Sequence, residues 1–336
     1  MKYRSQSSTS RLIGFSISYD PNNLLARGFG LEHLRELLLR IARPLLRRGA
    51  SLAYGGNWKE QPGNFTYELL KLISAEQEDN SLGGPDTNLP IGRLVNHLAW
   101  PNYSMVTPRI EAQWINCCRI LRVTQQLAGI ADCDVVLDVD DPAQKNKVLL
   151  NSAITVSAMR RFAALGMITT VPGVVSSGTI PPMSARLLLG GKTVGYSGFI
   201  PGLFEEALLS FEQSSPLYIL GGFGGAAEVL ANALLSPVPS VELETVWQER
   251  AYPTLLKLAE LAGAAPLPLG IRNTGNLLAA LNAKVSTARS ALSMTLKTGL
   301  SDPLTRELMT TQDIRRASEL VLTGLSKTLG LEVLPS

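Results

Sequence analysis

Three short apolar runs in this chain each end in a pair of glycines, and a helix-forming stretch follows each pair. Ser51–Tyr54 leads into Gly55-Gly56, residues 185–189 into Gly190-Gly191, and Leu217–Leu220 into Gly221-Gly222. A strand that feeds a tight glycine turn and then a helix is the repeating step of a parallel α/β sheet. The helical stretches show the matching periodicity. Leu34, Leu37, Leu38, Ile41 and Leu45 recur at three- and four-residue spacing within residues 31–48, and Gly49 closes that segment.

The same reading extends along the chain. Leu12–Ser18 is a β-prone run ended by Tyr19-Asp20-Pro21, and residues 94–100 read as a further strand. Helices are expected at 65–73, 108–127, 151–165, 203–211 and 226–235, with loops at 74–90 and 166–182. Beyond residue 237 no strand pattern is visible, and helical patterns occupy 246–261, 275–281 and 314–329. The expected architecture is a Rossmann-like parallel sheet flanked by helices. Residues 11–236 would form the sheet domain and 237–336 an α-helical extension packed on it. The polar, serine-rich residues 1–10 are expected to form a disordered arm.

Bulk properties exclude several classes. At 336 residues, 45% hydrophobic and 18% charged, the chain suits an ordered globular protein that needs no disulfide or metal staple. Its net charge is only +3, and the basic cluster of Arg35, Arg40, Arg43, Arg47 and Arg48 lies on one helix. That pattern reads as a solvated face, without the interleaved aromatics of a nucleic-acid surface. No run reaches the ~20 apolar residues of a membrane helix, and no apolar leader is visible, so a cytoplasmic protein with no direct membrane contact is expected. Cys117, Cys118 and Cys133 have no metal-ligand spacing and are expected at or near the core.

In a parallel sheet all strand C-termini share one edge, which is where ligands bind in open α/β folds. The three glycine turns would meet there, exposing backbone amides and helix N-termini to a phosphate. Lys192 follows the second turn and would neutralise such a charge. Ser16, Ser18 and Tyr19 end the first strand within reach of a ribose or base, and Arg27 stands in the next loop. The two histidines, His33 and His97, are too isolated for a nucleophile triad. Asp134, Asp138, Asp140 and Asp141 read as solvated carboxylates, so no metal site and no cofactor is expected.

The stretch from Gly190 to Glu206 resembles the PGGxGTxxE signature of Lonely Guy-type phosphoribohydrolases. Gly190-Gly191 stands on the glycine pair, and Gly202-Leu203-Phe204-Glu205-Glu206 stands on GTxxE, with Leu203 in place of the threonine. Residues 192–201 replace a single residue of the motif. The segments LAYGGNW, SAMRRF, ARLLLGGKTVGYSGFIPGLFEEAL and PLYILGGFGGAAEVLANAL resemble more closely a divergent sensor branch of the SLOG (SMF/DprA–Lonely Guy) superfamily, SLOG cluster 2-like.

That resemblance implies a nucleotide-derived ligand of ADP-ribose or cyclic-ADP-ribose type. It implies a homo-oligomer, and an effector of TIR or membrane-disrupting kind encoded separately. The binding residues it implies, together with the turns, are Ser18, Tyr19, Gly55, Gly56, Arg160, Gly190, Gly191, Lys192, Gly198, Pro201, Gly202, Glu205, Glu206, Gly221, Gly222 and Gly224. If the chain is instead an enzyme, Glu206 and Arg160 would act on the ribose–base bond of a nucleoside monophosphate. Three roles stay open for Glu206: catalysis, holding ribose hydroxyls, and a solvated helix start.

Overall fold

The computed structural model describes residues 11–61, 63–79, 93–169, 178–263 and 265–331. The expected arm at 1–10 and most of the loop expected at 74–90 lie outside the described residues. The chain opens with β1 (Leu12–Ser18), α1 (Pro21–Leu25), α2 (Leu31–Arg47), β2 (Ser51–Tyr54) and α3 (Phe65–Glu78). It continues through β3 (Leu94–Ala99), α4 (Pro108–Trp114), β4 (Cys118–Val123) and α5 (Lys145–Leu165). A small antiparallel ribbon, β5 (Met167–Thr169) and β6 (Gly178–Ile180), precedes β7 (Ala185–Gly190). Then come α6 (Gly202–Gln213), β8 (Leu217–Leu220) and α7 (Gly225–Leu235). The C-terminal part holds α8 (Thr245–Ala251), α9 (Thr254–Ala262), α10 (Thr274–Ala288), α11 (Leu292–Leu296), α12 (Asp302–Thr310) and α13 (Ile314–Leu329).

Six strands form one parallel sheet in the order β4-β3-β2-β1-β7-β8. The chain therefore builds outward from β1 in one direction and later returns to its other side. Strand periodicity sorts the side chains. Ile13, Phe15 and Ile17 of β1 join Leu187 and Leu189 in a core closed by α2, α3, α12 and α13. The opposite face is covered by α5, α6, α7 and α10, whose apolar residues pack on Leu188 and Ile219. The C-terminal helices thus contribute to the cores on both faces of the sheet.

Local chemistry explains the element ends. α2 stops where Gly49, at φ +79°, lets its amide reach the Leu46 carbonyl and the Ala50 amide reach Leu45. Asn64 and Asp313 cap α3 and α13 by accepting from the first free amides of each helix. The arginines of α2 are about half exposed and paired: Arg35 with Glu32 and Glu68, Arg40 with Glu36, and Arg43 and Arg47 with Glu76.

Several expectations need correction. The helix expected over 108–127 stops at Trp114, and Cys118–Val123 forms edge strand β4 instead. Its alternative helical periodicity loses to the unsatisfied edge of β3, with Leu94 and Trp100 amides donating to Cys117 and Val123 carbonyls at 3.0 Å. The helix expected over 246–261 is two, because Pro253 cannot donate and pushes Tyr252 to φ −138°. α3 continues to Glu78, five residues past the expected end, and Met167–Thr169 and Gly178–Ile180 pair within the expected loop at 166–182. Cys117 and Cys118 are buried as expected, and Cys133 is exposed because it sits in a surface turn before α5.

Candidate ligand cleft

The C-terminal ends of β1, β2 and β3 face α5, the loop after β7 and the first turn of α6 across a cavity of 280 Å³. It lies beside β1, where the strand order reverses, the position at which open α/β sheets bind ligands. A larger groove of 520 Å³ lies between the surface helices α2 and α3, where Arg35 and Glu68 already pair across it. The smaller cavity is the stronger candidate because His97, whose buried ring nitrogens have no hydrogen-bond partner, lines it.

Arg160 of α5 is the centre of one wall. Its Nη1 donates to Glu205 Oε2 at 2.5 Å and its Nη2 to the Ser197 carbonyl at 3.1 Å, with both side chains of the ion pair almost fully buried. Two glycines make room for the guanidinium. A Cβ on Gly198 would stand 2.9 Å from Nη1, and one on Gly202 would stand 2.7 Å from Nη2. A larger residue at either position would have to push the guanidinium off Glu205 and Ser197, and Gly198 also holds φ +108°, where other residues are strained.

A second ion pair crosses the floor. Arg186, on β7, reaches Glu206 Oε1 at 3.3 Å and Ser16 Oγ at 2.9 Å. Burial lowers the pKa of Arg186 from the ordinary arginine value, Glu206 opposes that effect, and the nearby Arg160 adds to it. On the same sheet face His97 of β3 is 1% exposed. Burial, and secondarily the charge of Arg186, push its pKa down to about 3, so it is neutral at physiological pH.

Neighbouring turns are held by the protein itself. Asn96 accepts from Trp58 Nε1 at 2.8 Å and donates to the carbonyls of Tyr54 and Gly56, fixing the turn after β2. The loop after β7 is tied to the C-terminal helices: Tyr196 donates to Gln248 Oε1 at 2.8 Å and Thr274 to the Phe199 carbonyl at 2.7 Å.

A model of the SLOG cluster2 family matches residues 8–302. The chain belongs to that family. No curated protein matches it.

Within this SLOG cluster2 chain, Ser18, Gly55, Arg160, Lys192, Gly202 and Glu206 line the cleft together. Gly190 and Gly191 end β7 behind it at φ +65° and +91°, and the Gly191 amide donates to Ser18 at 3.1 Å. Pro201 and Glu205 are buried at the start of α6, and Gly198 abuts Arg160. Tyr19 stands against Gly63, and Gly56 lies under the Tyr54 ring.

The third turn stands apart from the cleft. Gly221 and Gly222 pack against Met309 and Thr311 of the C-terminal helices, and Gly224 against Arg27, which pairs with Glu228. A Cβ at either glycine would collide with the Met309 or Thr311 backbone.

Arg186, Asn96 and Tyr196 carry no motif that marks them in the sequence, where His97 stands only as one of two isolated histidines. A charged residue inside the apolar run ARLLLG was the available signal, since arginine is rarely buried in a strand without a partner. Among the described residues no group of three or more His, Cys, Asp or Glu is arranged to hold a metal, and no helix is long and apolar enough to cross a membrane.

Proposed function

We propose that this chain is a sensor that binds a nucleotide-derived ligand of ADP-ribose or cyclic-ADP-ribose type. Membership of the SLOG cluster2 family supports a SLOG-type, nucleotide-related function. The observation that carries the binding reading is the state of the two carboxylates at the cleft. Glu205 is committed to Arg160 and Glu206 pairs with Arg186, so both carboxylates are held by cations. The role follows from the same reading: the ligand reports stress or infection in a bacterial conflict system, and a homo-oligomer passes the signal to a separately encoded TIR or membrane-disrupting effector.

Calorimetry with ADP-ribose, its cyclic isomers and NAD tests this directly, together with mass spectrometry of whatever co-purifies. Micromolar or tighter binding of one of them supports the reading, and silence toward all three with nothing co-purified overturns it. One observation favours a second reading, a nucleoside monophosphate phosphoribohydrolase. Glu206 lines the cleft with its side chain 15% exposed. Release of free base from AMP or CMP that vanishes in Glu206→Gln would establish the enzyme.

A further inference from the structure

At and beneath the floor of the cleft lie polar atoms that no described residue satisfies: His97 lines the cavity, and Arg186 sits under Ser16 and Glu206, which line it. Both ring nitrogens of His97 and Nη2 of Arg186 are buried without a hydrogen-bond partner. Leaving such groups unpaired costs about 1–3 kcal/mol each, so native folds rarely do it without a reason. Both residues belong to the same sheet face, and Ser16, which holds Arg186, lines the cavity together with His97.

The charges around these atoms cancel. Arg186 faces Glu206, and Arg160 faces Glu205, so a phosphate at the floor would meet no uncompensated cation and would lie near a carboxylate. Lys192 lines the cavity without a carboxylate among the ion pairs of the described residues. The floor instead offers the neutral imidazole of His97, with one N–H and one lone pair. Its complement is an uncharged group that both accepts and donates.

Resting on the nucleotide-sensor reading, we infer that His97 is a specificity-determining residue that reads the neutral nucleoside end of the ligand. The phosphates lie toward Lys192. The hydroxyls of a ribose and the polar edge of a base share the chemistry required. A cavity of 280 Å³ is at the small end of ligand sites, which suits one nucleoside unit with the remainder of the ligand outside.

The test uses the full chain with ADP-ribose, adenosine, ribose 5-phosphate and inorganic pyrophosphate as probes. His97→Leu removes both ring nitrogens while filling the space with an apolar side chain, and no protein partner loses a bond. By calorimetry we expect it to weaken ADP-ribose at least tenfold and pyrophosphate less than twofold, whereas Lys192→Ala should weaken both, because both carry the phosphates. In His97→Leu, equal losses for both probes, or wild-type affinity for ADP-ribose, would overturn the inference while leaving the sensor reading intact. No binding of ADP-ribose to the wild type would remove both.

A second measurement needs no variant. The chain has only two histidines, so nitrogen-15 spectra of its imidazoles resolve each ring, with His33 as the internal control. His97 signals should move with ADP-ribose and stay with pyrophosphate, whereas unmoved signals at saturating ADP-ribose would refute the assignment. A shift with adenosine alone assigns the base edge or nucleoside hydroxyls, and a shift with ribose 5-phosphate assigns the sugar.

Discussion

The guanidinium of Arg160 meets Glu205 at 2.5 Å, and the adjacent Glu206, one position along α6, turns to a different arginine on a different element. Successive helical residues point about 100° apart, so two neighbouring glutamates serve two separate walls of one cleft. Arg160 and Glu205 fix helix α5 to α6, while Arg186 and Glu206 fix the sheet to α6.

Glu205→Ala leaves a buried cation without its carboxylate. We expect a loss of about 3–5 kcal/mol, measured as the shift in urea unfolding free energy. A double-mutant cycle with Arg160→Met should be strongly non-additive. Additive losses would show that the pair is not coupled.

Gly202→Ala places a methyl group where the Arg160 guanidinium now sits, 2.7 Å from Nη2. Overpacking of this kind costs about 1–3 kcal/mol. Because Gly202 and Arg160 both line the cleft, the variant should also weaken ADP-ribose in calorimetry. Wild-type stability and affinity together would contradict the crowding described.

Gly222→Ala acts elsewhere. Its Cβ would stand 2.1 Å from the Thr311 carbonyl oxygen, a backbone atom with little freedom to retreat. The connection between α12 and α13 must then shift, and faster amide exchange is expected in these two helices. Exchange around His97 and Arg160 should stay at the wild-type level.

Tyr196→Phe removes a buried hydrogen bond and leaves Gln248 Oε1 without its donor. A cost of about 1–3 kcal/mol is expected. The loop bearing Lys192 and Ser197 should lose exchange protection together with α8, since the two are joined at this bond. Protection lost in only one of them would argue against a joint unit.

His97 titrates in the folded protein near 3, below the ordinary histidine value of 6.5. The unfolded chain therefore binds a proton between these values that the native state refuses, with Arg186, Glu206 and Arg160 the charged groups nearby. Its contribution to stability is complete above pH 6.5 and falls as pH drops toward 3, by up to about 1.4 kcal/mol per pH unit. Urea unfolding at pH 7.5, 5.5 and 4.5 should show this slope in the wild type and a shallower one in His97→Leu. Parallel slopes would remove His97 as the cause.

Local pattern was enough to read β1, β2, β7 and β8, because each is a short apolar run closed by turn residues whose meaning does not depend on the rest of the fold. The helical stripe of α2 and the glycine that ends it were legible for the same reason. β4 was not. Its residues suit a helix or a strand, and the choice fell to the open hydrogen-bonding edge of β3, which lies outside the segment.

The candidate site divides in the same way. Position after a glycine turn marked Lys192, and the motif resemblance marked Arg160, Gly202 and Glu206, as neighbours of a cleft. Which carboxylate each arginine would take was undetermined, since Glu205 and Glu206 are chemically identical and differ only in the direction that α6 gives them. Only the packed sheet put Arg186 and His97 on one sheet face, because strands β3 and β7 are distant in the chain and are separated by two intervening strands. The sequence determined that glycine turns and a parallel sheet would form, through backbone sterics that act over a few residues. The tertiary structure decided that Gly198 and Gly202 seat an arginine and that Gly221 and Gly222 seat Met309 and Thr311, because those neighbours arrive from far along the chain.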